Sequence, residues 1–121
     1  MRIRPDEPLE EFAARFREAH RRAPLGPVAG RVVQENDRVR IWEMALAPGE
    51  ASALHRHDLD YMVILLEGDR IAGIPGPESS RSARAAEVVP GFVSYLTRGE
   101  TEWAVNIGRE PYRELLVELK D

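Results

Sequence analysis

The sequence predicts an all-β domain of the sandwich or barrel class, preceded by one amphipathic helix. From Arg31 onward, short runs of β-forming residues alternate with turn signals: Asn36-Asp37, Pro48-Gly49, Glu67-Gly68-Asp69, Pro75-Gly76-Pro77, Pro90-Gly91, Arg98-Gly99 and Gly108-Arg109. Before Arg31, a single segment carries the three- and four-residue steps of a helix face. With 121 residues, 43% of them hydrophobic, the chain can bury one sizeable core but not two. The expected division is therefore a helix and connection over 1–30 and a β domain over 31–121.

The helix is expected over 7–22. Leu9, Phe12, Ala13, Phe16 and Ala19 share one face, Asp6 is positioned as a cap, and Pro8 suits the first turn. Glu7, Glu10 and Glu11 at its start and Arg15, Arg17, Arg21 and Arg22 toward its end complement the helix dipole. It stops at Ala23-Pro24-Leu25-Gly26-Pro27, and His20 in the last turn reads as a solvated histidine. Strands are expected near 31–35, 38–47, 53–57, 60–66, 69–74, 83–89, 92–96, 101–107 and 112–119. The loop-like stretch from Pro75 to Ser82 is too short to divide domains, and no repeat or low-complexity tract is present.

Composition narrows the function. There is no run of eighteen apolar residues and no basic stub leading into an apolar stretch, so neither a membrane span nor a targeting segment is expected. With no cysteine, any metal must be held by His, Asp or Glu, and a cytoplasmic location is the default. A net charge of −4 argues against nucleic acid as a partner. Arginine outnumbers lysine sixteen to one, but the arginines are scattered and read as a compositional bias.

One stretch carries chemistry. His55 and His57 stand two apart before the β-forming run Tyr61 to Leu66, and alternate residues of a strand share a face, so both imidazoles can aim at one point. That is a metal-ligand geometry.

The spacing around the pair resembles a known family. Gly49, five residues, His55, one residue, His57, three residues, Tyr61, six residues and Gly68 resemble the first motif of the cupins, in which the position of Tyr61 is usually glutamate. Gly91, five residues, Thr97, one residue, Gly99, two residues, Glu102, three residues and Asn106 resemble the second, in which position 97 is usually proline and position 102 usually histidine. The chain thus resembles a small single-domain bacterial cupin, with 22 residues between the motifs. Its run from His55 to Tyr61 is similar to a subgroup with Asp-Tyr after the histidine pair, among them proteins associated with β-alanine degradation. The resemblance implies a double-stranded β-helix, or jelly roll, of six to ten strands, with its site inside the barrel and a homodimer as the common assembly.

The resemblance also implies a divalent metal, Fe, Zn, Mn or Ni, held by two histidines and one carboxylate: His55, His57 and Glu102. Asp60 is the competing carboxylate. Strand alternation sends it away from the histidines unless a bulge intervenes, and Glu102 is preferred. Tyr61 and Glu102 are the catalytic candidates. Tyr61 would donate a proton or hydrogen bond, or else be a half-buried core tyrosine, and Asn106 is expected to be structural.

Arg40, Trp42, Met44 and Leu46 share one strand face, opposite Val39, Ile41, Glu43 and Ala45, and either could line the barrel. Trp103 should point away from its neighbour Glu102. Arg40, Arg98 and Arg113 are candidates for a substrate carboxylate against the simpler reading of solvated surface arginines. Three functions compete: a small-molecule metalloenzyme, whether dioxygenase or lyase or isomerase; a non-catalytic ligand-binding or regulatory protein, with or without metal; and a structural dimer made through the helix stripe Leu9, Phe12 and Phe16.

Overall fold

A computed structural model describes residues 1–121. The helix, α1 (Leu9–Ala19), is followed by nine strands: β1 (Arg31–Glu35), β2 (Val39–Leu46), β3 (His55–Arg56), β4 (Tyr61–Glu67), β5 (Arg70–Pro75), β6 (Arg84–Glu87), β7 (Val93–Leu96), β8 (Thr101–Asn106) and β9 (Tyr112–Leu119). They form two antiparallel sheets, ordered β1-β2-β9-β4-β7 and β3-β8-β5-β6. From β2 to β5, and again from β6 to β9, successive strands change sheet. The two sheets thereby face each other as a jelly roll.

Alternation along the strands divides the interior into two layers. Met44, Leu46, Leu65 and Tyr112 lie between the sheets with Ala29, joined by Ile71 and Ala104 from the opposite sheet. Ala72, Ile74, Trp103, Val105 and Ile107 occupy the other face of β5 and β8 and pack beneath Phe12, Ala13 and Phe16 of α1. Both faces of β8 and most of β5 are therefore covered, while the edge strand β6 stays exposed. The Leu9, Phe12 and Phe16 stripe packs against its own barrel. Trp103 does face away from Glu102, its ring meeting Phe16 edge-on at 5.3 Å between centroids.

The helix is shorter than the expected 7–22. It begins at Leu9 with Pro8 as its N-cap residue, so Asp6 is not the cap. Asp6 instead sits in the preceding turn with a left-handed φ of 62°. Pro8 takes an extended backbone that suits the position before the first helical residue but lacks a capping side chain. At the other end His20 is the C-cap residue and is not simply solvated. Its ring stacks on Phe16 at 4.0 Å, and its Nδ1–H donates at 2.9 Å to the Phe16 carbonyl, which also accepts from the His20 backbone N–H.

In β2, the face carrying Arg40, Trp42, Met44 and Leu46 is the one that turns inward. Trp42 Nε1 donates to the buried Glu118 at 2.6 Å, and Arg40 reaches the same carboxylate at 3.2 Å. The opposite face carries Glu43, paired with Arg31 and Arg113 on the outer surface. Asn106 is structural: its amide donates to the carbonyls of Leu46 and Glu110, and its oxygen accepts from Gly108 N–H.

Candidate metal centre and cavity

Two strands place the three donors. His55 on β3 lies directly opposite Glu102 on β8, and directly opposed residues of antiparallel strands project from the same face. His57 follows just beyond the end of β3. It is held there by its N–H donating to Glu100 O at 2.9 Å and by its carbonyl accepting from Gly99 N–H at 2.8 Å. Gly99 has a φ of 111°, so the turn that grips His57 requires glycine. One ligand atom from each of His55, His57 and Glu102 lies within 4.8 Å of the others.

The surrounding bonds prepare these groups as donors. His55 Nδ1–H donates to the Ala53 carbonyl at 2.8 Å, which fixes the tautomer and leaves Nε2 with a free lone pair. Burial pushes the His55 pKa down, although that backbone bond opposes the shift, so the ring is neutral near pH 7. Burial by itself would raise Glu102. The neighbouring His57 and His55, with Arg84, outweigh it and hold the carboxyl below its ordinary value. His57 Nε2 stands 3.6 Å from Glu102 Oε1, while its Nδ1 is sealed from solvent without any hydrogen-bond partner. Two buried imidazoles and an ionised carboxylate whose ligand atoms converge within 4.8 Å fit a divalent cation of the Fe, Zn, Mn or Ni type.

Asp60 is elsewhere. Its carboxylate accepts from the backbone and guanidinium of Arg98 on the outer surface, and Arg98 holds it below the ordinary carboxylate range. Tyr61 is buried and stacks face to face on His57, with centroids 3.8 Å apart and ring planes 10° from parallel. Burial, followed by the charge of Glu102, pushes its phenol well above the usual range, so it stays protonated at neutral pH.

The three donors line a cavity of about 470 Å³ between the sheets, within the range of small-molecule sites. Fifteen of its 23 lining residues are hydrophobic, with Met44, Val63, Leu65, Ile71 and Leu116 among its walls. Arg40, Arg98 and Arg113 do not line it. Each is engaged by carboxylates instead, Arg40 by Glu35 and Glu118, Arg98 by Asp60 and Asp121, and Arg113 by Glu43 and Glu67.

Three lining residues escaped the sequence reading. Glu114 is buried at 5% exposure with its carboxylate accepting from Tyr112 Oη, and burial raises its pKa to about 7. Gly73 backs directly onto Glu102, and Arg84 lies opposite Gly73 on β6. A glycine inside a strand marks a close approach and was the one available signal for Gly73.

Comparison with solved structures agrees with this architecture. The chain is similar to a cupin domain from Bordetella pertussis, with 20% identity and a TM-score of 0.66 over 79% of this chain and 100% of that one. It is also similar to a cupin superfamily protein from Desulfitobacterium hafniense, with 18% identity and a TM-score of 0.57 over 98% of this chain and 95% of that one. A third likeness is to the polyketide cyclase RemF from Streptomyces resistomycificus, with 22% identity and a TM-score of 0.57 over 75% of this chain and 63% of that one. No family model matches the chain, and no curated protein matches it. The fold is the double-stranded β-helix that these cupin structures share. No helix is long and apolar enough to cross a membrane.

Proposed function

We propose that this protein is a metal-dependent enzyme acting on a small oxygen-bearing molecule by proton transfer, in a lyase or isomerase type of reaction. The observation that carries this reading is the convergence of His55, His57 and Glu102 in the wall of a mostly hydrophobic cavity. A divalent metal bound there supplies Lewis acidity toward a carbonyl or enolate oxygen.

The chain's own groups supply the proton handling. Glu114, with a pKa of about 7, can hold or accept a proton at its carboxylate near neutral pH, the condition under which a general acid or base works best. Tyr112 Oη donates to Glu114 and fixes its orientation. Tyr61 remains a phenol and offers a hydrogen bond rather than a charge, while its stacked ring holds the plane of His57. The apolar walls limit water around these groups, which strengthens each polar contact. The same fold in a polyketide cyclase is in keeping with catalysis over simple ligand binding.

Metal analysis tests the reading. Protein produced with Fe, Mn and Zn supplied and purified anaerobically is expected to hold one metal per chain. The metal should be lost in His55→Ala and Glu102→Ala and retained in Asp60→Ala. Metal-free wild-type protein under these conditions sinks the metalloenzyme reading. For the chemistry, NMR of small oxo acids in D₂O should show exchange of the C–H protons adjacent to the oxo group, and that exchange should disappear in Glu114→Gln. Bound metal with no exchange in any oxo acid would favour a ligand-binding protein instead.

A further inference from the structure

We propose that the cavity takes an amphipathic monoanion, an aromatic or branched apolar body bearing one acid group, with Arg84 binding that acid group. This rests on the reading of the cavity as the substrate site and names the ligand class.

Arg84 is the only permanently cationic side chain lining the cavity. Its direction follows from the register. It pairs with Gly73, which in turn pairs with Ala104, and cross-strand partners project to the same side. Ala104 lies between the sheets, so Arg84 projects to the cavity side as well. Glu87, three residues along β6, also lines the cavity but forms no ion pair with Arg84.

The absence of a side chain at Gly73 lets the Glu102 carboxylate stand against β5, next to the position that Arg84 faces across the strand pair. Arg84 is close enough to lower the pKa values of both Glu102 and Tyr61, yet it forms no ion pair. Arginines 40, 98 and 113 are each matched with acids, Arg40 with the buried Glu118 and the other two with acids on the surface. Arg84 makes no ion pair although Glu87, Glu102 and Glu114 also line the cavity, and an unpaired guanidinium on a mostly hydrophobic wall is suited to a planar anionic group from a ligand. The rest of the ligand is specified by the walls and by the rim, where Val89 and Phe92 remain 59% and 56% exposed.

Calorimetric titration of 2-naphthoate and its neutral counterpart 2-naphthamide tests this. The titrations use wild type, Arg84→Met, Arg84→Lys and the surface control Arg22→Met. Each is run with metal content assayed and repeated after chelator treatment. Wild type and Arg22→Met should prefer naphthoate by about tenfold, Arg84→Lys should keep part of that preference, and Arg84→Met should bind both probes with the naphthamide affinity. Unchanged naphthamide binding shows that the variant is folded.

Equal affinity for the two probes in wild type, no binding of either, or a preference that survives in Arg84→Met overturns the proposal. A preference abolished by the chelator but not by Arg84→Met assigns the anion to the metal. Loss of the Arg84-dependent preference with metal still bound leaves the metalloenzyme reading standing. An Arg84-dependent preference in protein that never binds metal removes that reading and retains this one.

Discussion

Gly73 stands directly against Glu102: a Cβ added at position 73 would come within 2.8 Å of Glu102 Oε2. The carboxylate occupies the space that any other residue on β5 would fill. Gly73→Ala should therefore push Glu102 out of register with the histidines. We expect metal affinity to fall by about 10- to 100-fold, as for loss of a residue that orients a ligand. A competition titration with a metal-binding dye reads the change, and circular dichroism checks that the β fold persists. Undiminished affinity would show that Glu102 has another rotamer that serves equally well.

Glu114 makes stability depend on pH. Its pKa rises from an ordinary 4.5 to about 7 in the folded protein, so the native state binds its proton more tightly than the unfolded chain does. The stabilisation is present in full below about pH 4.5 and is lost as pH rises toward 7, because the charged carboxylate must then be buried. At 1.4 kcal/mol per pH unit the loss amounts to about 3 kcal/mol. Glu114→Gln keeps an acceptor for Tyr112 but cannot ionise. Urea unfolding at pH 5 and pH 8 should show the wild type falling relative to this variant, and parallel pH profiles would contradict the assignment.

Ser52 separates stability from metal binding. Its Oγ accepts from Ala104 N–H at 2.9 Å and donates to the Ala53 carbonyl, the same carbonyl that fixes the tautomer of His55. Ser52→Ala leaves the Ala104 N–H without its side-chain partner, and urea unfolding should register a loss of about 1–2 kcal/mol. His55 Nδ1 loses only its long 3.4 Å contact with Ser52 Oγ and keeps the 2.8 Å bond to Ala53, so metal affinity should change little. A loss of metal equal to that of His55→Ala would mean that Ser52 also orients the imidazole.

Phe16→Ala tests the layer outside the site. The ring is 1% exposed and packs between His20 and Trp103, so its removal opens a cavity beneath α1. The expected cost is about 3–5 kcal/mol in chemical denaturation. Metal stoichiometry should hold, since Trp103 and Glu102 point to opposite faces of β8. Metal lost in parallel with stability would show that α1 helps position the site.

Local patterns made much of this legible. Turn residues and β-forming runs located nine strands to within a few residues because those signals act over short stretches of chain. The spacing of His55 and His57 put them together on one side, and their resemblance to a family motif brought Glu102 to the same site. The helix ends were less legible. Asp6 resembled a cap, but Pro8 set the start, and stacking of His20 on Phe16 closed the far end.

The sequence by itself thus determined the β architecture, the helix and the histidine pair, all of which follow from periodicity and near-neighbour spacing. Tertiary structure decided which faces turn inward. Tyr112, Glu114, Leu116 and Glu118 alternate along β9 in a pattern that locally suits a half-solvated strand. Yet β9 lies between β2 and β4, and the opposite sheet covers this face, so both glutamates are buried. The meeting of Arg84 with Gly73, and of Gly73 with Glu102, was likewise invisible, because no local rule specifies which strands of a jelly roll pair. Register across distant strands turns scattered residues into a site.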